Sequence, residues 1–419
     1  MTDAALGTRV RVRARGVLTH PVTLWAVFVL VHLVLGVICL TSPSLPMGDV
    51  TIVYEFWMRR GVEADIWVGL DTAWVYPLLA IVPMLASAVL GWTLYASTWL
   101  TLALLVDAVA FAVLLHRGGR ARDTAAAAWW WIAFLVAVGP VALGRIDTFA
   151  TAVAIVGVLV IVGRPALGSV LLTVGAWIKV WPAALVAASV IAVRSRLTVL
   201  VAAVATTAVV LVVGVAAGGG ASLVSFITEQ SGRGLQIESP LATPAMWAAW
   251  AHAGTSVYYD QAIMTYQLDG PGTALAAALS TPLLTVAVGA LAVLGIVGAR
   301  RGRSAACLLP PLMLALTMAL IVFNKVGSPQ FAGWIAVPVI FGLVTARVGG
   351  GASFRTPAVL GLGVAALTQL VYPYWYGRLL GLDTVLLVVL TARNVLSLVL
   401  LAWAVVAVWA AVRKEAVLA

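Results

Sequence analysis

Residues 22–41 read VTLWAVFVLVHLVLGVICLT. The stretch holds no Asp, Glu, Lys or Arg, and at about 1.5 Å per residue it makes a helix of about 30 Å, the thickness of a bilayer's hydrocarbon core. Arg9, Arg11, Arg13 and Arg15 precede it. The run is too long for the apolar part of a signal peptide, and no small-x-small cleavage site follows. Cys39 is preceded by Gly-Val-Ile, a poor lipidation box. The expectation is an uncleaved first membrane helix behind a basic cytoplasmic segment, residues 1–21.

The rest of the chain repeats that character. Of 419 residues, 63% are hydrophobic and 10% charged, whereas soluble domains run near a quarter charged, so a water-soluble fold is excluded. Alternating ten-residue strands are absent, which argues against an outer-membrane barrel. The net charge of +10 sits mostly as Arg in short connections, where it reads as orientation chemistry and not as a nucleic-acid surface. Only Lys179, Lys325 and Lys414 are lysines among 25 basic residues; with the Ala, Val and Gly excess this points to a GC-rich bacterial genome. Cys39 and Cys307 provide neither a disulfide framework nor a Cys/His metal site.

Arginine-bearing segments at 9–15, 117–122, 164, 194–196, 300–303, 347–355 and 413–414 serve as cytoplasmic pins. Threading between them predicts an all-α polytopic membrane protein of 11–13 hydrophobic helices, a single domain over residues 22–412, with 413–419 cytoplasmic. The long outer loops are 42–75 and 219–277, both expected to carry interfacial helices. Residues 76–116 are too long for one span and read as a span plus a partial helix. Residues 165–193 start and end on the same side and read as a broken, returning pair around Lys179-Val-Trp-Pro182.

Nine of the 15 acidic residues fall in the two outer loops. Further polar groups cluster at the outer helix ends, in Gly144-Arg145-Ile146-Asp147 and Asn324-Lys325-Val326-Gly327-Ser328-Pro329-Gln330. Charges near membrane depth are costly and mark functional sites by default. Together they predict a polar, partly cationic cavity open to the outer face. Asp49 begins a segment suited to an interfacial helix and is either an N-cap or a carboxylate placed to take a proton from a hydroxyl. Arg233, between Gly232 and Gly234, is either a solvated turn residue or a phosphate ligand. Lys179 either snorkels from a helix break or meets a phosphate. Glu238 binds sugar hydroxyls or caps a turn, and Asp147 orients Arg145. Trp247, Trp250 and His252 either anchor at the membrane belt or line a ligand. Asp107 and His32, inside apolar runs, read as satisfied bundle contacts.

There is no Walker A, no GxGxxG after a strand, no HExxH, no GxSxG and no Asp-x-Asp. Four segments in order do resemble the membrane glycosyltransferases of the GT-C superfamily, and most closely the bacterial glycosyltransferase family 87 (DUF2029), abundant in actinobacteria. They are Gly48-Asp49-Val50 with Tyr54; Gly144–Asp147 leading to Ile178-Lys179-Val180-Trp181-Pro182; Arg233–Ser239; and Asn324-Lys325-Val326 with Ser328-Pro329-Gln330.

The resemblance implies an enzyme that moves a sugar from a polyprenyl-phosphate carrier to a lipid or glycan hydroxyl at the outer face of the cytoplasmic membrane, with inversion. The matching position for the base is Asp49. Arg233, Arg145, Lys325 and Lys179 are then the phosphate ligands, and Tyr54, Glu55, Glu238, His252 and Gln330 the sugar and acceptor contacts. Mannose is the implied sugar; arabinofuranose suits the same site. Asp49 has no acidic neighbour, unlike the paired acids of many superfamily members, so a metal-independent reaction with no cofactor is expected. The rival class is a transporter of lipids or lipid-linked sugars, which would show facing polar groups at mid-membrane and internal repeats. Here the carboxylates gather at one face and no repeat is visible.

Overall fold

The computed structural model describes residues 17–116, 121–229, 232–345 and 351–413. The arginine cluster at 9–15, residues 117–120, Arg347 and the terminal residues 414–419 lie outside the described residues.

The architecture is an all-α polytopic membrane bundle with one small sheet. α1 (Pro21–Thr41) leads to a π-helical turn, Asp49–Tyr54, that continues as α2 (Glu55–Ala64). The short α3 (Ile81–Ala86) precedes α4 (Tyr95–His116), the span plus partial helix expected of 76–116. α5 (Ala121–Val138), α6 (Asp147–Val160), α7 (Pro165–Ile178), α8 (Ala183–Ala192) and α9 (Arg196–Ala216) follow. After the second outer loop, with its α10 (Thr243–Trp250), come α11 (Thr273–Arg300), α12 (Ala305–Val322), α13 (Ala336–Thr345), α14 (Arg355–Gln369), the short α15 (Tyr376–Leu380) and α16 (Thr384–Arg413). Eight helices are long and apolar enough to cross a membrane, and four shorter apolar helices accompany them among the described residues. α12 is the centre of the bundle: every residue from Cys307 to Ala319 is buried.

The short helices explain where a cavity can form. α6 and α7 have 14 residues each and α8 has ten, so they reach about 21 Å and about 15 Å, less than the hydrocarbon core. α7 and α8 form the returning pair read from 165–193. The chain breaks at Lys179, whose backbone is extended, and resumes at Pro182, which stands just before α8, where no amide donor is needed.

The second outer loop departs from expectation. Besides α10 and two short 3₁₀ turns, Ala221–Ile227 and Pro240–Ala242, it forms a three-stranded antiparallel sheet in the order β1-β3-β2, from β1 (Leu235–Gln236), β2 (Ser256–Asp260) and β3 (Thr265–Asp269). Leu235 faces Leu268, and Ser256 faces Asp269. The physical cause is composition: Val257, Tyr258, Tyr259, Thr265 and Tyr266 suit a pleated, half-buried surface.

Candidate active site

A cavity of about 900 Å³ lies where both outer loops, the α7–α8 break and the segment 324–330 converge. Asp49, Tyr54, Arg145, Lys179, Arg233, Glu238 and Gln330 all line it. Residues far apart in the chain are thus brought to one space, as the sequence reading expected.

Asp49 opens the π-helical turn, and its side chain is 39% exposed. Its Oδ2 stands 3.2 Å from Nε of Arg145, whose side chain is only 4% exposed. The contact is an ion pair and not an aligned hydrogen bond. The other guanidinium nitrogens are engaged as well. Nη1 donates to the carbonyls of Pro46 and Gly144, both at 2.7 Å, and Nη2 donates to the Tyr372 hydroxyl at 2.6 Å. Burial disfavours the charge on Arg145, but Asp49, Tyr372 and Tyr54 outweigh burial and hold its pKa above the ordinary value. Arg145 therefore orients Asp49 and holds Tyr372 in place.

A second group surrounds Lys179. Its Nζ lies 4.2 Å over the ring of Tyr76 and 3.8 Å from Oδ2 of Asp147. Oδ1 of Asp147 accepts from Nε1 of Trp334 at 2.6 Å, and Trp334 stacks on Trp181 with centroids 5.4 Å apart. Asp147 consequently orients Lys179 and Trp334, not Arg145 as the sequence suggested; it sits on the first turn of α6, facing the α7–α8 break. The hydroxyls of Tyr54 and Tyr76 are 3.4 Å apart. Burial, then Tyr76 and Asp49, push the Tyr54 pKa well above its usual value, so the phenol stays protonated and can only donate or accept a hydrogen bond.

The third group belongs to the second outer loop. Arg233 is partly buried, and its Nε has no hydrogen-bond partner among the described residues. Burial lowers its pKa, but a guanidinium starts so high that it keeps its charge. Glu238 is buried and paired with Arg393 of α16: Nη1 donates to Oε2 at 2.7 Å, and Nη2 donates to the Glu238 carbonyl. Burial raises the Glu238 pKa while Arg393 opposes the rise. The loop also rests on the 324–330 segment. The Ser239 hydroxyl donates to the Asn324 carbonyl at 2.6 Å, and the Gln236 amide donates to the Lys325 carbonyl at 3.0 Å. At Gly327 an added Cβ would stand 2.0 Å from the Ser239 nitrogen, so the two segments meet backbone to backbone.

Three residues singled out in the sequence do not line the cavity. Glu55 does not line the cavity; it pairs with Arg59 one turn along α2, at 2.8 Å. His252 is exposed just beyond α10 and outside the cavity lining, while Trp247 and Trp250 donate to Thr391 and Thr384 and so fasten α10 to α16. Lys325 does not line the cavity; burial and the nearby Arg233 lower its pKa. Gln330 lines it and accepts from the Ser328 hydroxyl at 2.5 Å. His32 and Asp107 are buried and paired at 3.1 Å, the bundle contact expected of them. Sequence reading missed Tyr76, Tyr372, Trp334 and Arg393. Arg393 alone had a clear signal, a single cation deep in the apolar run 384–412. Among the described residues, no three His, Cys, Asp or Glu side chains cluster where they could hold a metal ion.

Residues 74–279 match the sequence model of glycosyltransferase family 87. The chain belongs to that family. No curated protein and no solved structure matches it. The matched stretch of this family 87 glycosyltransferase carries Tyr76, Arg145, Lys179, Arg233 and Glu238. Asp49, Asn324 and Gln330 reach the same cavity from outside the matched stretch.

Proposed function

We propose that this family 87 glycosyltransferase transfers a hexosyl unit, mannosyl first among the candidates, from a polyprenyl-phosphate sugar to a hydroxyl of a lipid or glycan acceptor at the outer face of the cytoplasmic membrane. The observation that carries the reading is the half-exposed Asp49 carboxylate, held by a buried Arg145, in a cavity that Lys179 and Arg233 also line. On this reading Asp49 takes the proton of the acceptor hydroxyl. The acceptor oxygen bonds to the anomeric carbon on the face opposite the phosphate, the carbon–oxygen bond to phosphate breaks, and its electron pair leaves with the polyprenyl phosphate. A β-linked phosphosugar becomes an α-glycoside.

Lys179 and Arg233 are assigned to the phosphate, because preorganised cations facing developing charge supply the largest single catalytic effect. Arg145 is assigned to positioning Asp49, since its donors already have partners. Tyr54 and Gln330, which line the cavity, are assigned to sugar or acceptor hydroxyls. The reaction needs no metal in this scheme. The outer-face placement is supported by charge: Arg164, Arg194, Arg196, Arg300, Arg301 and Arg303 all fall in connections at the helix ends opposite those that reach the cavity.

The test is transfer in membranes of a host lacking the activity, supplied with radiolabelled polyprenyl-phosphomannose and a bacterial lipid extract. Removal of a general base costs about 10²–10⁴-fold in rate, and Asp49→Asn and Asp49→Ala are expected to lose that much. A labelled glycolipid formed equally by wild type and both variants would remove Asp49 from the role. No product from mannosyl or arabinofuranosyl donors would overturn the transferase reading of the site.

A further inference from the structure

A second cavity, of about 30 Å³, shares Gln330 with the large one. Asp107 of α4 and Asp147, Thr148 and Thr151 of α6 complete its polar lining, and Trp131 and Phe134 of α5 belong to an apolar wall. Two carboxylates meet this space with accepting capacity to spare. Oδ1 of Asp147 accepts from Trp334, but Oδ2 has no hydrogen-bond partner among the described residues, although the side chain is only 4% exposed; Nζ of Lys179 stands 3.8 Å away. Asp107 is buried and uses Oδ2 alone for its contact with His32. The His32 ring decides what that contact is. Its Nδ1 lies 2.9 Å from the Phe28 carbonyl, which only accepts, so Nδ1 carries a hydrogen. A bare Nε2 facing a carboxylate would set lone pair against lone pair. Nε2 and Asp107 therefore share one proton, and the pair is neutral as a whole.

We propose that this cavity is a water site whose waters join Asp107 to Asp147, so that the His32–Asp107 pair positions Asp147 and, through it, Lys179. The phosphate role of Lys179 rests on the donor reading above; the water site does not. A water needs about 10–15 Å³ of such space, so the volume admits about two. Trp99 Nε1 donates to the Leu143 carbonyl at 2.8 Å, which sets Trp99 beside the segment leading into α6, and Asp107 is eight residues, about 12 Å, further along α4. A chain of about two waters spans roughly 8 Å through hydrogen bonds of about 2.8 Å each. The two aspartate side chains cover the remainder, and Thr151, one turn into α6, offers a hydroxyl on the way. Waters here give the free Asp147 oxygen the donors that a buried carboxylate requires. A neutral pair at the far end anchors them without adding a net charge that would compete with Asp147 for Lys179.

The experiment uses the full-length protein in lipid nanodiscs, with structures determined at a resolution that shows bound water. Gly333 lines the cavity, and nothing stands within 4 Å of a Cβ added there, so Gly333→Val fills the water space and leaves both ion pairs as they are. Asp107→Leu removes the far anchor; should it fail to fold, Gly333→Val carries the test. Asp107→Asn keeps the anchor, because its amide donates to His32 Nε2 and its oxygen still faces the water. Wild type is expected to show water density between Asp107 and Asp147. In Gly333→Val and Asp107→Leu that density is lost and Lys179 Nζ leaves the face of the Tyr76 ring. With a polyprenyl-phosphate sugar as donor, both variants lose about tenfold or more in kcat with little change in KM, as a displaced catalytic group does. Asp107→Asn stays near wild type in structure and in kcat. A wild-type cavity without water density overturns the proposal. So does a Lys179 that keeps its place and its kcat when the density is lost, and so does an Asp107→Asn variant that fails as Asp107→Leu does. Wild-type protein that shows the waters and the Lys179 shift but transfers no sugar rejects the donor reading and leaves the positioning role standing.

Discussion

Arg145 shows how one buried cation can organise a site. All of its nitrogens are directed at protein groups: two backbone carbonyls, the Tyr372 hydroxyl and the Asp49 carboxylate. Lysine, a compact point charge, cannot reproduce that fork. Tyr372→Phe removes one acceptor from a buried charge and is expected to cost about 1–3 kcal/mol, read as a lower thermal midpoint in detergent. The same variant is expected to lower kcat more than it raises KM, because Arg145 is then free to shift and carry Asp49 with it. At this scale the sequence was informative where charge was rare. Asp49, Arg145, Lys179 and Arg233 stood out as ions in or beside apolar runs, and all four line the cavity. Tyr76 and Tyr372 did not stand out, because tyrosine is common wherever a chain meets a membrane interface. Glu55 and His252 illustrate the converse: they are polar and close in sequence to site residues, but the helical turn at 55–59 and the end of α10 direct them elsewhere.

Among the elements, α16 has a role that its apolar sequence concealed. Arg393 reaches from it to hold Glu238 by side chain and carbonyl, and its neighbour Asn394 donates to Thr243 at 2.8 Å. The loop that carries Arg233 is thereby fastened to a transmembrane helix on one side and to the 324–330 segment on the other. Removing one member of a buried ion pair leaves the other uncompensated, at a cost of about 3–5 kcal/mol. Arg393→Met is therefore expected to destabilise strongly. The double variant Arg393→Met with Glu238→Gln recovers part of the loss, and a double-mutant cycle of melting temperatures measures the coupling. A cost for the double variant equal to the sum of the single costs would show that the two side chains act independently. The elements were otherwise legible in outline, since Arg-rich connections and run lengths marked nearly every helix. The small sheet was not, because β1 is two residues long and its pairing with β3 depends on contacts across more than thirty residues.

For the whole molecule, helix lengths and charge placement tell the same story. Three of the four shorter apolar helices, α6, α7 and α8, fall well short of the hydrocarbon thickness, and a polar cavity lies at one end of a bundle whose other helix ends carry arginine. Cysteines replacing Asp269 and Arg413, both exposed, are expected to react with a membrane-impermeant maleimide from opposite sides of sealed vesicles. The native Cys39 and Cys307 are buried and give little background. Labelling of both from the same side would reverse part of the threading. Global shape came through in the sequence because a bilayer allows so few solutions; the convergence of distant loops did not, because only packing decides it. The Nε of Arg233 has no hydrogen-bond partner among the described residues. On the proposed reaction the donor is a phosphodiester with a single negative charge, while the spent carrier is a monoester carrying about −1.5 to −2 near neutral pH. A guanidinium that attracts the first holds the second more tightly. Turnover is then governed by departure of the carrier, the carrier inhibits in competition with its own glycosylated form, and steady output depends on a neighbouring activity that clears it from the membrane.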